Sequence, residues 1–390
     1  MNSIAIDETH RTGRIRARGP WLRPASLGFL LPLAAALTAF TAGCGGNAVS
    51  TTKSSTPVTT TPTIDKALWI ANGTNVLEYL PSQLSATSTS NAAPHLAVNS
   101  GIFGAPQGVV FDAAGDLWVI DGGTVSTGGT VQPALFEFTA QQLSMLGSNN
   151  APMPNITLRS SSFVFPQQAV FDAKGDIWVS DNGGNAVFEF TPSQLMASNP
   201  TTVPNIVIDS DPAFNGPLGI AFDAAGDLWI ANNATTTIFE FQAAHLPTTS
   251  STVTLTPDVT LSDDGNGSIQ APWALIFDSK GDLWSSNANS PSTVVEFAAS
   301  SLTASGSPTP EATLSPVMQG ANPTLSAPNG IAFDNLGDLA AISSASPFGV
   351  AFFGQTMLME GGVNDPDLLI VGSATTLNAP AGCNFGPVVN

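Results

Sequence analysis

Hydrophobic residues in this chain fall into short runs divided by proline, glycine and aspartate, and four such runs recur in a fixed order. The clearest copy reads "FPQQAVFDAKGDIWVSDNGGNAVFEFTPSQL" from Phe165 to Leu195, followed by "PNIVI" from Pro204. The first run has the form Pro-x-Gly-Ile-Ala-Phe-Asp, as at Pro328–Asp334. Within it Ile331 and Phe333 point one way and Ala332 the other, the period of two of a pleated strand. The second run is the GDLW segment, the third is "NAVFEF" at Asn185–Phe190 and its relatives, and the fourth follows Pro154, Pro204, Pro257 and Pro310. Runs this short, punctuated this often, predict strands joined by turns.

The second run occurs six times. Trp69 and its equivalents Trp118, Trp178, Trp229, Trp284 and Ala340 stand roughly 50 to 60 residues apart, a repeat period. The fourth run also occurs six times, counting "PHLAV" from Pro94 and "PDLLI" from Pro366. Nothing like the first run precedes Lys66; its missing copy is "APAGCNFG" at Ala379–Gly386, which aligns with "APNGIAFD" at Ala327–Asp334. A ring closes without exposed strand edges when the C-terminal strand completes the N-terminal sheet. The pattern therefore predicts an all-β, six-bladed β-propeller with four-stranded blades, Lys66–Val98 and Ala379–Gly386 forming the first blade. The domain boundary falls near residue 64, giving a propeller over 64–390.

Between the first two runs lies "FDAAGDLW" at Phe111–Trp118, repeated at Phe222–Trp229, with near copies from Phe171, Phe277 and Phe333. Paired aspartates around glycine suggest either a calcium loop or a turn. A tight hairpin explains all five copies: aspartate accepts local backbone N–H groups and glycine supplies a positive φ, whereas calcium takes six to eight oxygens. The aspartates read as architecture, which directs the search for chemistry to the other end of the second strand. The residues there are Asn72, Asp121, Asp181, Asn232, Asn287 and Ser343, and they ring one mouth of the channel beside Gln107, Gln167, Leu218, Trp273, Asn329 and Ala381. Such residues either bind a ligand or cap the turn that follows them. Trp273 is either a stacking platform for a sugar or peptide, or core.

The repeat unit P-x-G-I-A-F-D-x-x-G-D-L-W resembles the NHL repeat, and Lys66–Asn390 is similar to an NHL or SMP-30/gluconolactonase-type six-bladed propeller. The units are longer than typical NHL repeats, mainly between the third and fourth runs. The SMP-30 resemblance implies a divalent metal, Ca²⁺ or Mg²⁺, held at the channel mouth by carboxylate and amide oxygens; the carboxylates there are Asp121 and Asp181. NHL-type metal lyases use histidine ligands, but His95 and His245 replace polar residues at peripheral places, so a histidine-bound metal is not expected. Cys383 aligns with Ile331 and reads as a small buried hydrophobe.

Composition adds an address and removes partners. The net charge is −19, and five of the ten basic residues, Arg11, Arg14, Arg16, Arg18 and Arg23, precede Cys44. The remainder repels phosphate backbones and anionic headgroups, which excludes nucleic acid and electrostatic membrane docking. The arginine-rich start and "SLGFLLPLAAALTAFTAGC" at Ser26–Cys44 form a signal peptide over 1–43. Its "TAGC" ending resembles the bacterial lipoprotein lipobox with Thr41 at the usual leucine position, which implies lipidation of Cys44; an ordinary cleaved signal or an uncleaved anchor is the alternative. Residues 44–63 are small and polar, a flexible tether. The expectation is a monomeric propeller in the bacterial cell envelope, facing the periplasm or exterior and touching membrane only through its lipid, or else secreted. Its leading function is binding of a small molecule, glycan or protein partner, with no certain cofactor. The alternative is a metal-dependent hydrolase or lyase of SMP-30/gluconolactonase type.

Overall fold

The computed structural model describes residues 65–389 except 86–87, 127–128, 148–150, 210–213, 320–321 and 361–364. The expected signal peptide, Cys44 and tether lie outside the described residues. The protein is a six-bladed β-propeller built from six antiparallel sheets of four strands each, one carrying an added fifth. In the first blade the strand Pro380–Gly386 pairs with Ala67–Asn72, followed by Asn75–Tyr79 and Leu96–Val98. The register sets Cys383 against Ile70 and Gly386 against Ala67, so the C-terminal strand closes the ring. The innermost strands of the other blades are Pro106–Phe111, Pro166–Phe171, Pro217–Phe222, Pro272–Phe277 and Pro328–Phe333.

Packing follows the strand alternation. Six hydrophobic clusters form, each between two neighbouring blades. The second-strand tryptophan of one blade meets the phenylalanine ending the next blade's innermost strand edge to face: Trp69–Phe111, Trp118–Phe171, Trp178–Phe222, Trp229–Phe277 and Trp284–Phe333, with centroids 5.7 to 6.2 Å apart. Each such pair contributes about 0.5–1.5 kcal/mol beyond its buried area. At the sixth junction Ala340 holds the tryptophan position, and Phe352 packs on Phe385 instead. Around the channel the innermost strands approach backbone to backbone. A Cβ on Gly382 would lie 2.6 Å from the Gln107 carbonyl oxygen, which is why that strand position is glycine.

The extra length between the third and fourth runs has a structural use. The segment Ser251–Val253 of the fourth blade adds a parallel strand to Ile206–Ile208, the outer strand of the third. Equivalent bridges link Asn199 to Leu158, Gly306 to Leu261 and Ser90 to Ile370. Each insertion thus reaches back over the preceding blade's outer strand and satisfies backbone groups that an open edge leaves exposed.

Candidate functional site

All six residues at the ends of the second strands are almost fully buried and share one task. Asp121 accepts the backbone N–H groups of Gly104, Ala105 and Gly123 at 2.8, 3.1 and 2.7 Å. Asp181 accepts those of Val164, Phe165 and Gly184 at 2.8, 2.9 and 2.8 Å. Asn232 takes Asn215 N–H at 2.8 Å, Asn287 takes Gln270 at 2.9 Å, Asn72 takes Asn378 at 2.6 Å and Ser343 takes Ser326 at 3.0 Å. Each side chain therefore ties down the loop entering its own blade's innermost strand. The amides also donate onward, Asn287 to the Ser268 carbonyl and Thr293, Asn232 to Thr235 and Thr237, Asn72 to Asn75. Burial pushes the carboxyl groups of Asp121 and Asp181 upward, and their backbone donors pull them back.

A divalent cation needs converging oxygens. Asp121 and Asp181 are instead surrounded by N–H donors, so these two residues do not fit a resident Ca²⁺ or Mg²⁺. The second residues of the innermost strands complete the mouth. Gln167 and Asn329 are buried, and Gln107 is half-buried with its amide on the Ala105 carbonyl at 3.2 Å. Trp273 is half-buried, and the side-chain oxygen of Asn329 is buried with no donor. The mouth thus presents amides and one indole, groups that form hydrogen bonds and stack without exchanging protons.

At the opposite end of the strands the five aspartate turns form as hairpins. Asp112 Oδ1 accepts N–H from Ala114 and Asp116 at 2.9 and 3.0 Å, and Gly115 has φ +81°. Asp116 in turn accepts Ala140 N–H at 2.7 Å and anchors the helical turn after the third strand, where Thr139 and Gln142 form a capping box. Both aspartates serve architecture here.

The register adds glutamates that the repeat alone did not flag. Glu137, Glu189, Glu240 and Glu296 stand directly opposite the tryptophans, and each packs, buried, against the turn aspartates. Asp112, Asp116 and Glu137 bring ligand atoms within 4.8 Å of one another, as do Asp278, Asp282 and Glu296. In the second group the Lys280 ammonium stands 3.6, 3.5 and 3.5 Å from the three carboxylates. The signal was present as a recurring F-E-F, but only pairing places the glutamate beside the turn.

His95 and His245 are exposed: His95 bonds Glu78 at 2.7 Å and His245 bonds Asp258 at 2.8 Å. Burial raises the Cys383 thiol, which stays protonated among apolar neighbours.

No family model matches this chain, and no curated protein matches it. Among solved structures it is similar to a chain of a nidogen/laminin complex, with TM-score 0.52 at 13% identity over 82% of this chain and 98% of that one. A putative 6-phosphogluconolactonase from Bacteroides fragilis NCTC 9343 gives 0.49 at 11% identity over 82% and 98%. A streptogramin B lyase gives 0.38 at 18% identity, over 65% of this chain and 66% of that one. At such identities the likeness is one of fold alone.

Proposed function

We propose that this propeller is a binding module of NHL-like type for a small molecule, glycan or protein partner, held outside the cytoplasm by a lipid on Cys44. The observation that carries the binding reading is the chemistry of the mouth. Its two carboxylates, Asp121 and Asp181, each face three backbone N–H groups. Gln107 and Trp273, both half-buried, remain to meet a ligand, and neither titrates near neutral pH. General acid–base work needs a group able to gain or lose a proton there. Hydrogen-bond recognition does not.

Two measurements test the proposal. Lactone hydrolysis by the purified protein with Ca²⁺ or Mg²⁺ is expected to stay at the uncatalysed rate, with the thermal midpoint unmoved by EDTA. Metal-dependent turnover that Asp121→Asn abolishes would overturn the binding reading in favour of a hydrolase. Cys44→Ser is expected to change the mature mass and the membrane fraction; if both are unaltered, the anchor is refuted.

A further inference from the structure

A propeller leaves the outer strand of every blade with one open edge, and this chain answers most of those edges by a single device. In the second blade Asn199 donates its N–H to the Thr157 carbonyl at 3.0 Å and accepts the Arg159 N–H at 2.9 Å. In the fourth, Gly306 does the same for Thr260 and Ser262 at 3.0 and 2.8 Å, and in the sixth Ser90 does so for Leu369 and Val371 at 2.8 and 2.9 Å. The third blade carries the full added strand Ser251–Val253. All four contacts run parallel to the strand they cover. In the first blade the Asn99 side-chain amide turns back on the Ala97 carbonyl at 3.4 Å.

The fifth blade has neither device among the described residues. Its outer strand Ala312–Leu314 pairs Thr313 with Val295, the register that pairs Thr157 with Phe136 and Thr260 with Phe239. Thr313 and Ser315 therefore turn the same backbone groups outward, and among the described residues no backbone group bonds them there. Both residues are partly exposed. The insertion that would have to reach back to them, 354–365, spends six residues on the helix Gln355–Glu360, where the fifth blade's own insertion, 298–309, spends three on Ala299–Ser301. A helix advances about 1.5 Å per residue and extended chain about 3.3 Å, so the longer helix costs reach. Two methionines flank this edge. Met318, 63% exposed, lies just beyond the strand, and Met359, 72% exposed, adjoins Leu358, which packs in one cluster with Ala312 and Leu314. Methionine adapts to varied apolar partners, and an open strand edge invites a further strand.

We propose that the outer edge of the fifth blade docks an extended segment of a partner protein, added as a parallel strand to Ala312–Leu314. This surface is separate from the mouth and does not depend on what the mouth binds. The segments that cover the equivalent edges define what fits: Ser90, Asn199, Ser251–Val253 and Gly306 are uncharged, mostly small, and held through their main chain. A segment of that kind, with one apolar side chain for Met318 or Met359, meets both features of the edge. An acidic segment is opposed by the exposed Glu311 at the start of the strand and by the net charge of −19. A second copy does not supply the geometry. Identical edges related by a two-fold axis pair antiparallel, whereas all four covering contacts in this chain are parallel.

The probe is the end-blocked peptide TTSSTVTLT, residues 248–256 of this chain, whose Ser251–Val253 already covers such an edge. Titrated into the whole protein and followed by calorimetry and amide hydrogen exchange, it is expected to bind and to slow exchange at Thr313 and Ser315. In the free protein the Ser315 amide is expected to exchange faster than its bonded equivalents Arg159, Ser262 and Val371. The same peptide carrying Thr252→Pro is expected not to bind. In the protein, Thr313→Pro removes the outward N–H at a strand edge, where proline is tolerated. It is expected to weaken the peptide about fivefold, the worth of one net hydrogen bond. A Ser315 amide as protected in the free, dilute protein as its three equivalents overturns the proposal, because the edge is then covered within the chain. Protection that appears only as the protein concentration rises overturns it in favour of self-association. Failure of the peptide to bind overturns it too, as does binding that Thr313→Pro leaves intact.

Discussion

Glu240 is a buried carboxylate pressed mainly by other carboxylates, with His245, already paired to Asp258, acting on it from the surface. Elsewhere the third-strand glutamate has a donor: Glu78 has His95 at 2.7 Å and the Val389 N–H at 2.9 Å, Glu137 has Asn155 at 2.6 Å, Glu189 has Asn205 at 2.7 Å and Glu296 has Lys280 at 3.5 Å. In the fourth blade the residue equivalent to Asn155 and Asn205 is Asp258, whose carboxylate is already held by His245. Glu240 Oε2 is left without a donor. Burial first, then Asp227, Asp258 and Asp223, push it from 4.5 up to about 7. A carboxyl raised above its unfolded value stabilises the fold in its protonated form. That stability is fully present below 4.5 and is lost as pH rises through about 7.

The difference between the two protonation states amounts to about 3 kcal/mol when fully expressed. Glu240→Gln keeps the shape and cannot ionise. Denaturant unfolding of wild type and variant between pH 4 and pH 9 is therefore expected to show the variant gaining on wild type from about pH 4.5, with the gap level above about pH 8. A gap that stays constant across this range would refute the reasoning, because it would mean that Glu240 ionises equally well folded and unfolded.

Two other outcomes follow from the same contacts. Asp121→Ala removes the acceptor of three buried N–H groups and is expected to cost about 3 kcal/mol or more in chemical denaturation; a loss below about 1 kcal/mol would show that solvent replaces it. Removal of the chain from Ala379 onward leaves the strand Ala67–Asn72 unpaired on its inner side and is expected to abolish cooperative unfolding, so a single transition at the wild-type midpoint would contradict ring closure.

Much of the fold was legible because a propeller blade is a local object. Its four strands are consecutive, its turns are set by Asp and Gly at fixed offsets, and its core alternates with period two. Counting Trp69, Trp118, Trp178, Trp229, Trp284 and Ala340 therefore counted blades, and the displaced first run at Ala379–Gly386 located the closure. The pairing of the end of a second strand with the start of the innermost one was likewise legible, and Asp121 does pair with Pro106.

What those residues do was not legible. Asp121 reads equally as ligand or cap until Gly104, Ala105 and Gly123 are seen to point their N–H groups at it. The same holds for the turn face. Ala340 was visible as a departure from GDLW, but its effect, a buried Asp334 Oδ2 without a donor, is seen only in the structure. Sequence alone determined the repeat, the turns and the closure, because these depend on residues near one another in the chain. Only tertiary structure decided which polar atoms are answered, because each partner comes from another loop, strand or blade, and burial makes its presence or absence matter.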